Sequence, residues 1–127
     1  ADLSRTFVFG NANEEQKEWY TKCVQAQTNA FEVIKPGAPA KHAMEIAEKT
    51  LGKKIPHALG HGIGLEVHDV PGAIYSKAEW KFQPGMAIAI EPGYYGKKWG
   101  IRLEDDAIIT QKGCERLSFA PKKLVEI

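Results

Sequence analysis

Three of the four histidines, His57, His61 and His68, fall within twelve residues of one another, where Gly60, Gly62 and Gly64 alternate along the chain. Further on stand Glu91, at the end of Met86-Ala87-Ile88-Ala89-Ile90-Glu91, and the run Arg102-Leu103-Glu104-Asp105-Asp106. Imidazole with several carboxylates is a ligand set that suits borderline-to-hard divalent ions such as Mn, Co, Fe or Zn. One His with carboxylates and no thiolate argues against a structural zinc site. Carboxylates can also bridge, which lets two ions sit about 3.5–4 Å apart and jointly activate a water. A plainer reading stays open for each residue. Three consecutive acids suit a solvated strand end, and a lone histidine is more often a surface or satisfied core residue than a ligand.

Chemistry at these positions depends on which way the side chains point. In an extended strand His57 and His61 share a parity and face the same side, while His68 follows a further turn. Met86, Ile88 and Ile90 fall on one strand face; Ala87, Ala89 and Glu91 fall on the other. A carboxylate closing an alanine-lined face makes a site floor, because small neighbours leave space above them. Pro92-Gly93 then turns the chain away. The same alternation groups Arg102, Glu104 and Asp106 on one charged face, with Ile101 and Leu103 opposite before Asp105. His42 lies in a helical stretch and stands apart from the cluster.

The elements that must carry these residues read as follows. Residues 3–10 alternate moderately and predict a strand that stops at Gly10. Asn11 or Asn13 caps a helix with Glu14 and Glu15 in its first turn. Trp19, Cys23, Ala26, Ala30 and Ile34 recur at steps of three and four, so the helix runs to about Ile34, where Lys35-Pro36-Gly37 ends it. A second helix over residues 40–51 places Ala43, Met44, Ala47 and Leu51 on one face and closes at Gly52. Three glycines and two histidines in residues 57–64 exclude a stable helix there. The bare side of that segment requires a close approach by a crossing strand, a substrate or a ligand sphere. Strands are predicted at 86–91, 100–110 and 115–119. One strand, two helices and then several strands give an α+β architecture, with the helices on one face of a mainly antiparallel sheet.

Composition narrows the function classes. Seventeen Lys plus Arg against sixteen Asp plus Glu leave a net charge of +1 over 127 residues. That balance offers no basic excess for a nucleic-acid partner. The 43% hydrophobic content is too high for disorder, and 127 residues give room for one core. Apolar runs are too short to span a membrane. The polar opening of the chain does not read as a signal peptide. Cys23 and Cys114 fit no metal-binding spacing; a disulfide between them stays open, but two free thiols in a cytoplasmic protein are the expectation. Lys53-Lys54, Lys97-Lys98 and Lys122-Lys123 read as solvated loop charges.

His57-Ala58-Leu59-Gly60-His61-Gly62-Ile63-Gly64-Leu65-Glu66-Val67-His68-Asp69 resembles the histidine motif of the pita-bread metallopeptidases, family M24. Ile90-Glu91-Pro92-Gly93-Tyr94-Tyr95 and Gly100-Ile101-Arg102-Leu103-Glu104-Asp105-Asp106 resemble the two glutamate motifs of its Xaa-Pro branch, prolidase and aminopeptidase P. The opening Ala1-Asp2-Leu3-Ser4-Arg5-Thr6-Phe7 resembles the end of the family's aspartate motif. The three motifs stand in the family's order and spacing, and the similarity runs essentially from end to end.

The resemblance implies a metal set of Asp2, His61, Glu91 and Glu104, with Asp2 and Glu104 bridging two divalent ions (Mn, Co, Zn or Fe) in the intact enzyme. It implies that His57 and His68 line the site and contact the substrate or tetrahedral intermediate, that Glu91 shuttles a proton, and that Arg102 supports the site. The substrate implied is a peptide with proline at its second position, and the full-length protein is expected to be a homodimer. The family has a further ligand aspartate and a half-domain ahead of the position matching Asp2. The chain is therefore expected to be the C-terminal half of a catalytic domain, with an incomplete and inactive site when isolated. Two rivals within the fold are weaker: methionine aminopeptidases typically lack the Arg102 to Asp106 run, and creatinase-like relatives lack the metal ligands. A non-catalytic module binding protein or RNA would likewise lose those ligands.

Overall fold

A computed structural model describes residues 1–127. Its elements in chain order are β1 (Phe7–Val8), α1 (Glu14–Val33), α2 (Ala40–Leu51), β2 (Gly60–Gly62), β3 (Asp69–Ile74), β4 (Ala87–Ile90), β5 (Gly93–Tyr95), β6 (Gly100–Arg102), β7 (Asp105–Thr110), β8 (Gly113–Arg116) and β9 (Val125–Glu126). Five strands form one sheet in the order β3-β2-β4-β7-β8, with every neighbouring pair antiparallel. Two small ribbons flank it: β5 with β6, antiparallel, and β1 with β9, parallel. This is the α+β arrangement the sequence predicts.

Asn13 begins α1. Its side chain accepts from the Gln16 amide at 2.8 Å while the Gln16 side chain accepts from the Asn13 amide at 2.9 Å, a reciprocal cap that satisfies two otherwise orphaned donors. Glu14 and Glu15 follow at the positive end of the helix dipole. Tyr20, Cys23, Ala26, Gln27 and Ala30 are the buried residues of this helix, so Tyr20 takes the place expected of Trp19. Trp19 instead stacks on Tyr94 with centroids 4.0 Å apart, bracing the β5–β6 ribbon. Helix α2 buries Ala43, Met44, Ala47 and Leu51 as expected and ends at Gly52, whose φ of 71° suits glycine. Both helices join Ile74, Ile88, Ile90, Leu103 and Ile109 in one buried apolar cluster. Both cysteines are free thiols. No helix is long and apolar enough to cross a membrane.

Three strand predictions need correction. The strand at 3–10 shrinks to Phe7–Val8, preceded by an isolated bridge between Ser4 and Glu104. The strand at 100–110 splits in two because the chain changes partner: the Leu103 amide donates to the Pro92 carbonyl, while Glu104 bonds Ser4. The last strand occupies Gly113–Arg116 and not 115–119. Beyond Arg116 the tail turns back, and its Val125–Glu126 pairs with Phe7–Val8.

The glycine segment proves to be hemmed in by strands on both sides. Strand β2 lies between β3 and β4, and a Cβ at Gly60 would collide with the Ala89 carbonyl, one at Gly62 with that of Val70. Of the three approaches the sequence left open, the crossing strand accounts for both.

Candidate metal centre

Sheet register sets the floor of the site. His61 pairs with Ala89 across β2 and β4, and Ala89 pairs with Asp106 across β4 and β7. Residues opposite each other in register present their side chains to the same face, so His61, Ala89 and Asp106 form one row. Ala89 is fully buried yet lies outside the apolar cluster that contains Ile88 and Ile90. The alanine-lined face expected from the sequence is therefore the face that carries His61.

On that face the chain assembles Asp2, His61 and Glu104, whose potential ligand atoms lie within 4.8 Å of one another. They come from three distant stretches. His61 and Glu104 are only 5% and 4% exposed. Glu91 borders this triad: its Oε1 stands 3.5 Å from His61 Nε2, while its Oε2 faces Arg102 Nη1 at 3.3 Å. His68 packs edge-on against His61, with ring centroids 4.1 Å apart.

The hydrogen bonding of His61 fixes its chemistry. Its Nδ1 lies 3.0 Å from the Gly62 carbonyl, which can only accept, so Nδ1 carries the proton. In the neutral ring Nε2 then presents its lone pair. That nitrogen faces Asp2 Oδ2 and Glu91 Oε1, each at 3.5 Å. A lone pair opposed to two carboxylates is unfavourable unless a proton or a metal cation stands between them, and a carbonyl-oriented imidazole is what a metal ligand requires. Glu104 adds to the negative charge. Burial pushes its carboxyl above the usual range, the Ser4 hydroxyl opposes this, and the nearby Glu91 and Asp2 carboxylates push it further up. Burial likewise raises Glu91, with the Arg102 guanidinium opposing. The donor set of one imidazole and crowded carboxylates thus fits a divalent ion.

His57 stands differently. Its Nδ1 lies 2.7 Å from the Ala58 carbonyl and its Nε2 3.0 Å from the Tyr95 hydroxyl. Arg102 Nε donates to the same Tyr95 oxygen at 2.9 Å. The phenol proton is therefore free to go to His57 Nε2, and Nδ1 donates to Ala58. Burial lowers the His57 pKa, its bond with Ala58 opposing. Both ring nitrogens are engaged within the protein, and His57 reaches Arg102 only through Tyr95.

Several contributors have no assigned role in the sequence-based expectations, although Asp106 is grouped there with Glu104 on one charged face. Tyr95 links His57 to Arg102. Asp106 Oδ2 accepts from the Asp2 amide at 2.9 Å, and its other carboxylate oxygen is buried without a partner. Asp105 is fully buried on the opposite side of the strand, paired with Arg5 at 2.7 Å and Lys122 at 2.9 Å. Lys122 is thus a half-buried ion-pair partner and not the solvated charge expected. Lys53 lies 4.7 Å over the Tyr94 ring, and Lys54 pairs with Glu48 at 2.6 Å. The one sequence signal for Asp105 was its place on the apolar face of its strand. His42 is remote, paired only with Glu45 at 3.5 Å.

The profile of metallopeptidase family M24 matches residues 1–111. The Xaa-Pro dipeptidase of Pyrococcus horikoshii is 41% identical over 98% of this chain and 37% of its own length. The prolidase structure from Thermococcus sibiricus superposes with a TM-score of 0.94 at 33% identity, over 100% of this chain and 36% of that one. The X-Pro aminopeptidase structure from Thermotoga maritima gives a TM-score of 0.91 at 33% identity, over 100% of this chain and 38% of that one. The chain spans just over a third of the length of the curated relatives it matches.

Proposed function

The chain belongs to metallopeptidase family M24 and has the pita-bread architecture of its solved relatives, and on that premise we propose that the whole protein hydrolyses the peptide bond preceding proline. The observation that supports the metal-dependent part of this reading is the His61 Nε2 lone pair facing Asp2 and Glu91, with Glu104 close by, and the preference for proline rests on the similarity to Xaa-Pro dipeptidases. Asp2, His61 and Glu104 would hold the divalent metal, and Glu91 would complete the set. Bound there, a pair of ions supplies Lewis-acid polarisation of the scissile carbonyl and an acidified water.

The chain's own residues do the rest. Glu91 takes a proton from the attacking water and passes it to the leaving imino nitrogen. Its burial favours proton uptake, and Arg102 holds one of its oxygens in place. His68, stacked edge-on against His61, offers a hydrogen bond to the developing oxyanion. His57 buttresses Arg102 through Tyr95 in this resting arrangement. Contact between His57 and substrate requires Tyr95 to move aside.

Prolidases and aminopeptidases P both stand among the similar proteins, so the length of the substrate separates the two forms of the reading. The test is release of the N-terminal residue from Xaa-Pro dipeptides, Xaa-Pro tripeptides and matched Xaa-Ala peptides, with Mn(II) present. Preferential cleavage of Xaa-Pro bonds is expected. Equal or greater cleavage of the alanine series would overturn the proline assignment.

A further inference from the structure

The segment that carries Asp2 has almost no regular secondary structure, yet it is tied down more densely than many strands. Ser4 and Glu104 exchange both backbone hydrogen bonds, at 3.3 and 3.1 Å. The Ser4 hydroxyl donates to Glu104 Oε2 at 2.6 Å. A hydroxyl bond to one carboxylate oxygen fixes the plane of the group and leaves the other oxygen for a ligand.

Arg5, one residue on, uses every donor it has. Nη1 reaches the Ser4 and Glu104 carbonyls, both at 2.9 Å. Nη2 reaches Asp105 Oδ1 at 2.7 Å and the Ala120 carbonyl at 2.8 Å, and Nε reaches the Pro121 carbonyl at 3.0 Å. Five N–H groups meet five acceptors in the planar fork that only a guanidinium presents. Behind the fork, fully buried Asp105 also pairs with Lys122. Lys122 in turn bonds the Gln27 side chain, whose amide donates to the Ile90 carbonyl, next to Glu91.

We infer that Ser4 and Arg5 are positioning residues for the metal centre: Ser4 orients the Glu104 carboxylate, and Arg5 locks the Asp2 segment, the Glu104 strand break and the C-terminal tail in one geometry. Neither residue is itself a ligand. The inference rests on the reading of Asp2, His61 and Glu104 as metal ligands. Lysine at position 5 keeps the charge but loses the fork, and alanine at position 4 removes a single hydroxyl from a half-buried site.

The test is a calorimetric titration of the whole protein with Mn(II), paired with visible absorption of the Co(II)-loaded form, on Ser4→Ala, Ser4→Thr, Arg5→Lys and Asp2→Asn, well below their unfolding temperatures. Ser4→Ala and Arg5→Lys are expected to weaken Mn(II) binding about 10- to 100-fold and to shift the Co(II) bands. Ser4→Thr, which keeps the hydroxyl, restores both. Ser4→Ala is too small a change to threaten folding, and far-ultraviolet circular dichroism checks Arg5→Lys. Wild-type affinity and spectra in both variants, with binding lost in Asp2→Asn, would overturn the inference alone. Wild-type binding in Asp2→Asn would overturn the ligand reading, and the inference with it.

Discussion

His61 Nε2 and Asp2 Oδ2 stand 3.5 Å apart, although one belongs to a central strand and the other to an extended stretch at the far end of the sequence. Neither side chain explains that proximity by itself. Asp2 is delivered by the Ser4–Glu104 bridge and by the Asp106 carboxylate on its amide; His61 is delivered by a strand enclosed between two others.

Removing a ligand should cost more than disturbing its support. His61→Ala and Glu104→Gln are expected to weaken Mn(II) binding by more than about 100-fold, the upper end of the effect of losing a supporting partner. Equilibrium dialysis against Mn(II) measures it. Retention of near-native affinity in both variants would count against the ligand set.

Glu91→Gln keeps the shape and one hydrogen-bonding oxygen but cannot carry the proton. Turnover on an Xaa-Pro substrate is expected to fall about 10²- to 10⁴-fold, with an unchanged circular dichroism spectrum. Steady-state kinetics at saturating metal measure this, and normal kcat would remove Glu91 from the proton pathway.

Metal and protons compete for the same groups. Burial raises the Glu91 and Glu104 pKa values in the metal-free protein, so the stability linked to their protonated forms is fully present below the unfolded carboxylate range and is lost as pH rises through the raised values. Metal binding reverses that loss and releases protons. The rise in Tm on adding Mn(II) should therefore be larger at pH 7.5 than at pH 5. Scanning calorimetry at the two pH values tests the sign; a larger rise at pH 5 contradicts it.

Asp105 sits among Arg5, Lys122 and, at 4.0 Å, Arg116. Asp105→Asn leaves those cations without their buried anion, which costs about 3–5 kcal/mol. The urea midpoint of the whole protein should fall accordingly, and an unchanged midpoint would show that the cluster is better solvated than its burial implies.

The buried Cys23 thiol is pushed up to about 12 by burial. A group with a raised folded pKa contributes stability that is complete below its ordinary value and fades as pH rises toward the folded one. Cys23→Ala should consequently flatten the alkaline loss of stability above about pH 9, where free thiols ionise. Thermal melts from pH 8 to 11 provide the comparison, and parallel curves for the two proteins would exclude the thiol as a contributor.

Much of this architecture was legible in the sequence because it depends on local pattern. The apolar steps of α2 and the cap at Asn13 are set by neighbours three and four residues away. The alternation of Ala87, Ala89 and Glu91 located the site face before any strand pairing was known. What escaped reading depends on partners far along the chain. Residues 100–110 alternate evenly, and nothing in them announces that Leu103 turns to Pro92 while Glu104 turns to Ser4. Lys122 looked like half of a solvated pair because its counter-ion, Asp105, lies on another element. His57 has the parity of a site residue, but the Tyr95 hydroxyl that occupies its Nε2 comes from a separate ribbon.

We propose that Asp2, His61 and Glu104 close around a divalent ion. The most direct measurement is a crystal structure of the whole protein grown with Mn(II), with anomalous scattering collected near the manganese edge. The expected result is a peak bonded to His61 Nε2 and to carboxylate oxygens of Asp2 and Glu104, with His61 Nδ1 still turned to the Gly62 carbonyl. An anomalous map empty at that position, or one with its manganese bound elsewhere, would contradict it.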